Sequence, residues 1–488
     1  MDVNVSVGTG TTSEKTLDIE SKRLNEHKKR IRVGYVMALF CAILWGLWYV
    51  PGNALWVLNP FDNLAAAIEL THDASTSLIV TAVLISAFNA ATVIIALLIW
   101  NGALGKMGEM KRTVLQMRPC TKWFFLGSIF GGPIAILGSF IAMGFVGAAF
   151  AAVAALMYPV VGSIISTRMG QKISRRAMLG ILVIIAGGFT VYAGGLVTDL
   201  TNGGGSFWGY VGGIMAALGW GVEGAVASRG LDVSEPDIGI TLRFLGENII
   251  WWVILIPLLF ILGFPMYEFA FQVFEPLTLL VLMMAGITFG FCYVTWYKSF
   301  PLIGVGRGQG IGNLYGLFAV VFVLLFVGQV PEWTVALGGV LCVAGSLVMF
   351  TEESLSLKSI RKDSPTDGSG RAMVKSKKAC TNGFEDLSKD ASKKPIKFSI
   401  LEIYSDGEAH WHSDVVKKLQ QVYSMKNDYG RDTINFDIIE LAAGGMLEEV
   451  DAKVDESGEY KPGAVLHKYK ITDFGRTRAN ESCFVAIM

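Results

Sequence analysis

The sequence predicts an all-α membrane protein with ten transmembrane helices in a 5+5 inverted repeat, followed by a small cytoplasmic α/β domain. Hydrophobic residues make up 52% of the 488 residues, and charged residues only 17%. Ordinary soluble domains carry about 25% charged residues, so this composition argues against a soluble protein. The apolar segments and their repetition are the two other observations behind the prediction.

Ten segments are apolar over the ~20 residues that a helix needs to cross a bilayer. Several contain Gly and Pro, which membrane helices tolerate better than soluble ones do. The predicted spans are 33–58, 77–100, 123–145, 148–167, 178–198, 206–228, 241–263, 276–299, 302–327 and 333–350.

The loops between these spans differ in charge. With a cytoplasmic N-terminus, the outer loops carry only acidic charges: Asp62, Glu69, Asp73, Asp199, Glu268, Glu275 and Glu332. The inner segments carry the basic residues: Lys106, Lys111, Arg112, Arg118, Lys122, Arg168, Lys172, Arg175, Arg176, Arg229 and Lys298. This pattern obeys the positive-inside rule, so we predict a multi-pass protein of the cell membrane with both termini cytoplasmic.

Two polar segments at the N-terminal side receive separate predictions. Residues 1–32 are too long and polar for a secretory signal and no cleavage site follows them, which predicts a disordered cytoplasmic tail. The outer loop 59–76 contains DNLAAAIEL (62–70), which favours a solvated acidic loop over a short interfacial helix.

The two halves of the apolar region resemble each other. GYVMALFCAILWG (34–46) aligns with GYVGGIMAALGWG (209–221), with six of thirteen positions identical. GSIFGG (127–132) aligns with GITFGF (286–291), and 170–188 aligns with 328–346. Five spans per copy is an odd number, so the second copy (206–350) enters the membrane from the side opposite to the first (33–198). Inverted repeats of this kind are common in secondary transporters, where they permit alternating access.

These features resemble the drug/metabolite transporter superfamily, and most closely its EamA branch. The resemblance covers residues 33–350 and rests on the repeat, on Trp-Gly in the first helix of each half, and on Tyr158-Pro159 in the fourth span. It implies transport of a small organic solute. The sequence departs from the common pattern at Gln171 and Gln329, where an acidic residue is usual, and in its long C-terminal extension.

Polar residues inside the predicted spans are the first candidate site residues. A charge at the bilayer centre costs about 2.5–3.5 kcal/mol, so such residues face the bundle interior and suggest function. Arg243 and Glu247 are four residues apart and share a helix face. Two interpretations stay open: a central site with carboxylates as cation or proton handles, and a cytoplasmic-side lock of two Glu against two Arg. The substrate or coupling candidates are Glu223, Glu247, Asn248, Asn89 and Asn313, and the gate candidates are Arg243, Arg307 and Gln309.

Aromatic residues in the same spans are the second group. Aromatic faces beside an unpaired carboxylate would bind an amine, whereas indole N–H and Tyr hydroxyl groups would equally suit a sugar or an amino acid. The candidates are Trp45, Trp48, Tyr49, Tyr158, Trp220, Tyr293, Trp296 and Tyr315. Trp251, Trp252 and Trp333 are instead predicted to pack or to lie at the membrane interface.

The sequence predicts no enzyme, no metal and no cofactor. The six cysteines are scattered without a CxxC motif, and His410 and His412 form only a local pair. GVGRGQGIG (304–312) lacks the GK[ST] ending of a phosphate loop and favours helix packing instead.

The C-terminal region divides into a polar linker at 351–394 and a domain at 395–488. Three helical segments precede two alternating segments at 447–455 and 464–475, which resembles a winged helix. The domain holds 11 Lys/Arg and 16 Asp/Glu, a net charge of −5, whereas phosphate binding needs a basic face. We therefore predict a protein-interaction, dimerising or regulatory module that does not bind nucleic acid.

Together these observations predict a secondary transporter that moves an amine, amino acid, sugar or drug by alternating access, with protons as the candidate coupling ion. The alternative is a membrane sensor whose ligand-binding bundle signals through the C-terminal domain. The predicted partners are the solute, the bilayer, and a protein partner or second copy bound through 395–488.

Overall fold

A computed structural model describes residues 10–116, 118–168, 175–202, 205–231, 233–350, 392–458 and 460–483. Nearly all of the predicted linker lies outside these residues. Within them, helices dominate and one small sheet is present, as predicted.

The first predicted repeat forms nine helices. They are α1 (Gly10–Ala54), α2 (Phe61–Glu69), α3 (Ala74–Ala103), α4 (Met107–Gln116), α5 (Arg118–Ile129), α6 (Leu137–Phe145), α7 (Ala148–Ala154), α8 (Tyr158–Arg168) and α9 (Arg175–Asn202). A π-helical segment, Phe130–Ile136, joins α5 to α6, and a 3-10 turn, Ala155–Met157, joins α7 to α8. Pro133 lies inside the π segment and lacks the N–H that an α-helix would use there.

The second predicted repeat forms eight helices. They are α10 (Phe207–Leu231), α11 (Pro236–Ile249), α12 (Ile256–Ile261), α13 (Met266–Ala270), α14 (Pro276–Ile303), α15 (Val305–Gly312), α16 (Tyr315–Val327) and α17 (Trp333–Phe350). A second π segment, Ile250–Leu255, joins α11 to α12 just before Pro257.

Nine helical segments among the described residues are long and apolar enough to cross a membrane, which is consistent with a multi-pass membrane protein. They are Asp18–Val57, Ala74–Ala103, Thr121–Phe145, Ala148–Ile165, Arg175–Ala193, Phe207–Leu231, Pro236–Ile261, Pro276–Ile303 and Arg307–Val327. The tenth predicted span corresponds to a shorter apolar helix, Trp333–Met349.

The C-terminal domain contains four helices and a three-stranded antiparallel sheet of order β1-β3-β2. Its elements are α18 (Ile396–Tyr404), β1 (His410–Trp411), α19 (His412–Val422), α20 (Asp428–Ala443), β2 (Leu447–Val454), β3 (Val465–Ile471) and α21 (Asp473–Cys483). The three predicted helices and both predicted strands are present. The two-residue strand β1 and the helix α21 complete the domain.

Two predictions for the N-terminal side were wrong. Residues 1–9 of the predicted disordered tail lie outside the described residues, and the rest of it, from Gly10 onward, is helical. Arg23 pairs with Glu449 at 2.6 Å and Glu26 lies 3.1 Å from His467, both on the C-terminal sheet. The loop after the first span contains α2, which buries Phe61, Leu64 and Ile68 against the bundle. In both cases tertiary contacts stabilise a helix that composition alone does not predict.

Candidate functional site

Two carboxylates and one guanidinium form a fully buried ion cluster in the apolar bundle. Glu223 lies on α10, and Arg243 and Glu247 lie on α11. The Arg243 Nε donates to Glu223 at 2.6 Å, and its Nη1 donates to Glu247, which is the pair predicted from the four-residue spacing. All three side chains have no exposed surface, so the charges are compensated by each other and not by water. We call these three residues the ion cluster.

Aromatic side chains also donate hydrogen bonds to both carboxylates of the ion cluster. The Tyr293 hydroxyl donates to Glu223 at 2.9 Å and accepts from the Trp220 indole N–H at 2.9 Å. Trp251 donates to Glu247 at 2.9 Å. Trp251 is therefore buried against the ion cluster, and the prediction that it lies at the membrane interface or only packs was incomplete.

Two glycines of the π segment make room for the ion cluster. A Cβ at Gly132 would lie 2.6 Å from the Glu247 Cγ, and a Cβ at Gly131 would overlap the Arg243 guanidinium and Glu223. The GSIFGG motif thus brings bare backbone against the buried charges.

Two interrupted helices cross beside the ion cluster, and side chains of each donate hydrogen bonds to backbone carbonyls of the other. The helix α7–α8 is interrupted at Ala155–Met157, and α15–α16 is interrupted at Asn313 and Leu314. The Asn313 amide donates to the Leu156 carbonyl at 3.0 Å, and the Tyr158 hydroxyl donates to the Gln309 carbonyl at 3.0 Å. The Gln309 carbonyl also accepts the Asn313 backbone N–H at 2.9 Å, so the Tyr158 hydroxyl adds a second hydrogen bond there.

Trp45 connects the interrupted helices to the ion cluster. Its ring stacks on Tyr315 at 4.4 Å and meets Trp220 edge-on at 4.8 Å. Trp296 lies 5.8 Å away and Tyr158 6.0 Å away, measured between ring centroids. Rings from five helices therefore enclose one region, which we call the aromatic cluster: Trp45, Tyr158, Trp220, Tyr293, Trp296 and Tyr315.

Other predicted site residues lie around this centre. The Trp48 indole donates to Asn89 at 3.0 Å and stacks on Phe289, and Tyr49 lies 3.3 Å from the Ser139 hydroxyl. Asn248 donates to the Ala90 carbonyl at 3.0 Å, so it joins α11 to α3 instead of contacting the ion cluster carboxylates.

The ion pairs in the structure differ from the proposed lock of two Glu against two Arg, because one arginine pairs with both carboxylates. Arg243 alone supplies the ion pairs that the structure gives both carboxylates. Arg307 lies near the start of α15 and is half-buried.

A second ion cluster, which the sequence analysis missed, lies at the end of the bundle that carries Lys106. The Lys106 ammonium lies 2.5 Å from both Glu235 and Asp237, and Lys298 lies 3.0 Å from Asp237. Trp100 also donates to Asp237 at 3.2 Å. Burial raises the pKa of Glu235 to about 7, and Asp237 adds to that effect. The cluster joins the α3–α4 connection to the start of α11 and to α14.

The C-terminal domain packs against the same end of the bundle. The Ile396 N–H donates to Glu109 at 2.9 Å, and Lys397 donates to the Ser234 carbonyl at 3.2 Å while pairing with Glu440. Burial would lower the pKa of Lys397, but Glu440 and Asp437 outweigh it and keep that pKa above its usual value. Lys397 is therefore a buried charge shared between the domain and the bundle.

A cleft of about 710 Å³ lies outside the bundle, between the start of α1 and the C-terminal domain. Its lining mixes acidic and basic side chains, among them Asp18, Lys22, Trp411 and Lys453. Among the described residues, no group of three or more His, Cys, Asp or Glu is arranged to hold a metal ion. His410 contacts Asp406 and His412 accepts from the His467 backbone, so both have structural contacts.

Similarity to known proteins does not show a family for this chain. No protein-family model and no curated protein matches it. One crystal structure of a protein aligns with 64% of this chain and 95% of its own, at 17% identity and a TM-score of 0.43. A similarity at that level carries no argument about fold or function.

Proposed function

We propose that this protein is a secondary transporter that moves a small organic solute across the membrane by alternating access. The observation that carries the proposal is the ion cluster, buried in apolar helices beside two interrupted helices. Charges in that position are expensive and are retained mainly in substrate sites, proton relays and gates. Interrupted helices near the middle of the bundle are typical of transporter sites.

Symmetric contacts support the proposed inverted repeat. In the sequence alignment, Gly180 matches Gly338 and Gly187 matches Gly345. Gly180 packs on Gly345, and Gly187 packs on Gly338, so that a Cβ at any of them would come within 2.5–2.7 Å of the partner's carbonyl oxygen. Equivalent residues therefore make exchanged contacts between α9 and α17, as a two-fold axis requires.

The interrupted helices support the same symmetry. Continuing the alignment of 127–132 with 286–291 brings the turn at Ala155–Met157 opposite the interruption after Asn313. The two matching interruptions are joined by hydrogen bonds and give the two halves a common centre. The halves could rotate relative to each other around this centre during alternating access.

The second ion cluster fits a gate. Under the proposed topology, Lys106, Glu235, Asp237 and Lys298 lie at the cytoplasmic end and join the two repeats. Opening toward the cytoplasm would have to separate these pairs. Protons are the coupling ion that we propose, with Glu223 or Glu247 as the carrier.

The test is uptake into proteoliposomes with Glu223→Gln. The candidate solutes are amines, amino acids, sugars and drugs, first screened by the thermal stabilisation that a ligand produces. We expect Glu223→Gln to abolish uptake, since Glu223 both anchors Arg243 and would carry the proton. Glu69→Gln makes the same chemical change at an exposed carboxylate and should transport normally. Full uptake by Glu223→Gln would contradict a role for this carboxylate.

The alternative function is a membrane sensor, and the buried contacts of Lys397 between the C-terminal domain and the bundle favour it. Ligand-driven changes in the bundle could reach the domain, which we propose to be a winged-helix-like protein-interaction module, through that contact. A chain ending near residue 358 distinguishes the two functions. Retained solute flux supports the transporter, and a ligand response that requires the domain supports the sensor.

A further inference from the structure

Every carboxylate oxygen of the ion cluster already accepts a hydrogen bond from a protein donor. The two oxygens of Glu223 accept from Arg243 and from Tyr293. The two oxygens of Glu247 accept from Trp251 and from Arg243. The Arg243 guanidinium pairs with both carboxylates, so a cationic solute would have to compete with it for the same negative charges.

Several buried polar atoms around the aromatic cluster lack a partner in the described residues, among them the acceptor Asn313 Oδ1, the Tyr315 hydroxyl and three N–H donors. Within the described residues, the Trp45 Nε1, Trp296 Nε1 and Gln309 Nε2 atoms have no acceptor. Trp45 is 1% exposed, Trp296 0% and Gln309 4%, so water does not compensate them at the surface. Buried donors are rarely left unpaired because their desolvation is costly.

These three donors lie in one region. The Trp45 and Trp296 rings are 5.8 Å apart. A Cβ at Gly312 would lie 3.6 Å from the Trp296 Nε1, and a Cβ at Gly224 would overlap the Gln309 amide and come within 3.4 Å of the Trp296 ring. The backbone at both glycines therefore packs directly against the Trp296 and Gln309 side chains.

The net charge of the ion cluster further restricts the class of solute that could bind. The ion cluster has one positive and two negative groups, so its net charge is −1 when all three are ionised. An anion would be repelled by this charge, and a cation would compete with the Arg243 guanidinium for the two carboxylates. The neutral donors and the surrounding rings suit an uncharged molecule that presents acceptor oxygens.

We propose that Trp45, Trp296 and Gln309 form a subsite that recognises an uncharged, oxygen-rich solute such as a polyol. The inference rests on the proposed transport function and narrows its substrate class. Tyr158 supplies a ring face for the solute's C–H groups, and the three donors bind its oxygens once the bundle opens to admit it.

The test measures binding and flux separately on the full chain. Binding is followed by thermal stabilisation with D-glucose and myo-inositol as neutral probes, choline as the cation and succinate as the anion. We expect stabilisation by a neutral probe only. Gln309→Met removes one donor at nearly constant side-chain length, and Trp296→Phe removes one donor and keeps an aromatic ring. Each should weaken that binding about tenfold, as expected for one lost hydrogen bond.

Trp56→Phe is the matched control. Its indole N–H is also buried without an acceptor in the described residues, but it packs beside Gly144, away from the aromatic cluster. This variant should bind the neutral probe as wild type does. Melting temperatures without probe show whether each variant folds.

The outcomes separate the two proposals. The substrate class is overturned if choline or succinate stabilises the protein, or if neither neutral probe does. Flux of choline would also overturn the substrate class, while it would support transport. Equal weakening by Trp56→Phe also overturns the subsite. Binding of a neutral probe with no flux into proteoliposomes leaves the subsite intact and contradicts transport.

Discussion

Arg243 is the residue on which the buried charges depend, because one guanidinium contacts Glu223 and Glu247 together. Removing one partner from a buried ion pair leaves an uncompensated charge and costs about 3–5 kcal/mol. The stability of this centre should therefore be far more sensitive to Arg243 than to any exposed charge.

We expect Arg243→Met to lower the free energy of unfolding by about 3–5 kcal/mol, measured by denaturant titration in detergent. The control adds Glu223→Gln and Glu247→Gln to Arg243→Met, which removes the stranded charges and should recover part of the loss. If Arg243→Met alone were as stable as wild type, the carboxylates would not depend on the guanidinium, contrary to the structure.

Local spacing predicts part of this centre. Arg243 and Glu247 are four residues apart, and so are Glu247 and Trp251, yet the apolar surroundings of Trp251 favoured packing. Tyr293 reaches Glu223 across 70 residues and Lys106 reaches Asp237 across 131. No helical periodicity relates residues so far apart, so these contacts could not be predicted from one sequence.

At the scale of elements, the interrupted helices depend on side-chain donors. The glycines at 304–312 and Pro159 indicate that the backbone can bend, but the interruption occurs where Asn313 can donate to Leu156 and Ser346. Helix patterns predicted the nine apolar helices of the described residues that are long enough to cross a membrane, because apolar length is a local property. They did not predict the interruptions, which arise between helices.

Asn313→Leu should lower the free energy of unfolding by about 1–3 kcal/mol, because it leaves the buried Leu156 carbonyl without its donor. Thermal or denaturant unfolding in detergent measures this loss. Asn63→Leu, on the exposed side of α2, makes the same change and should stay within about 0.5 kcal/mol of wild type. Similar losses for the two variants would contradict the role of Asn313.

The start of α1 depends on charged contacts with the C-terminal sheet. Burial lowers the pKa of His467, but its hydrogen bonds to Glu26 and Glu449 outweigh that effect and raise the pKa above its usual 6.5. The folded state therefore binds this proton more tightly than the unfolded chain does. The contribution is complete below pH 6.5 and is lost as pH rises through the raised value.

We expect the start of α1 to loosen as pH rises above 6.5. The measurement is the tryptic cleavage rate after Lys28 and Lys29 across pH, taken as a ratio to the rate in Glu26→Gln. That variant lacks the carboxylate and has the same protease sites, so the ratio cancels the pH dependence of trypsin. A ratio that stays constant with pH would show that His467 does not hold the helix.

At the scale of the whole molecule, the C-terminal domain bridges both halves of the bundle. Glu109 belongs to the first predicted repeat and Ser234 to the second, and both bind residues at the start of α18. The sequence predicted the domain's helices and strands but not this contact. The domain's net charge of −5 is a sum over all its residues and does not indicate that the cation Lys397 is buried.

Lys397→Met should weaken the contact between the domain and the bundle, because Glu440 loses its buried partner and Ser234 its donor. We expect faster hydrogen exchange in α18 and in the facing end of α11, with little change inside the bundle. Lys470→Met, at an exposed lysine on β3, is the control. Unchanged exchange in α18 would mean that the apolar contacts alone hold the domain.

The unequal charge of the ion cluster makes the bundle sensitive to voltage. One net negative charge inside the bilayer feels the membrane potential, and moving it across the whole field is worth about 2.3 kcal/mol per 100 mV. If alternating access moves the cluster through part of that field, solute binding should produce a transient current even when the solute is uncharged. Glu223→Gln would neutralise the cluster and abolish that current. Electrical recording would therefore detect the conformational change even during transport of an uncharged solute.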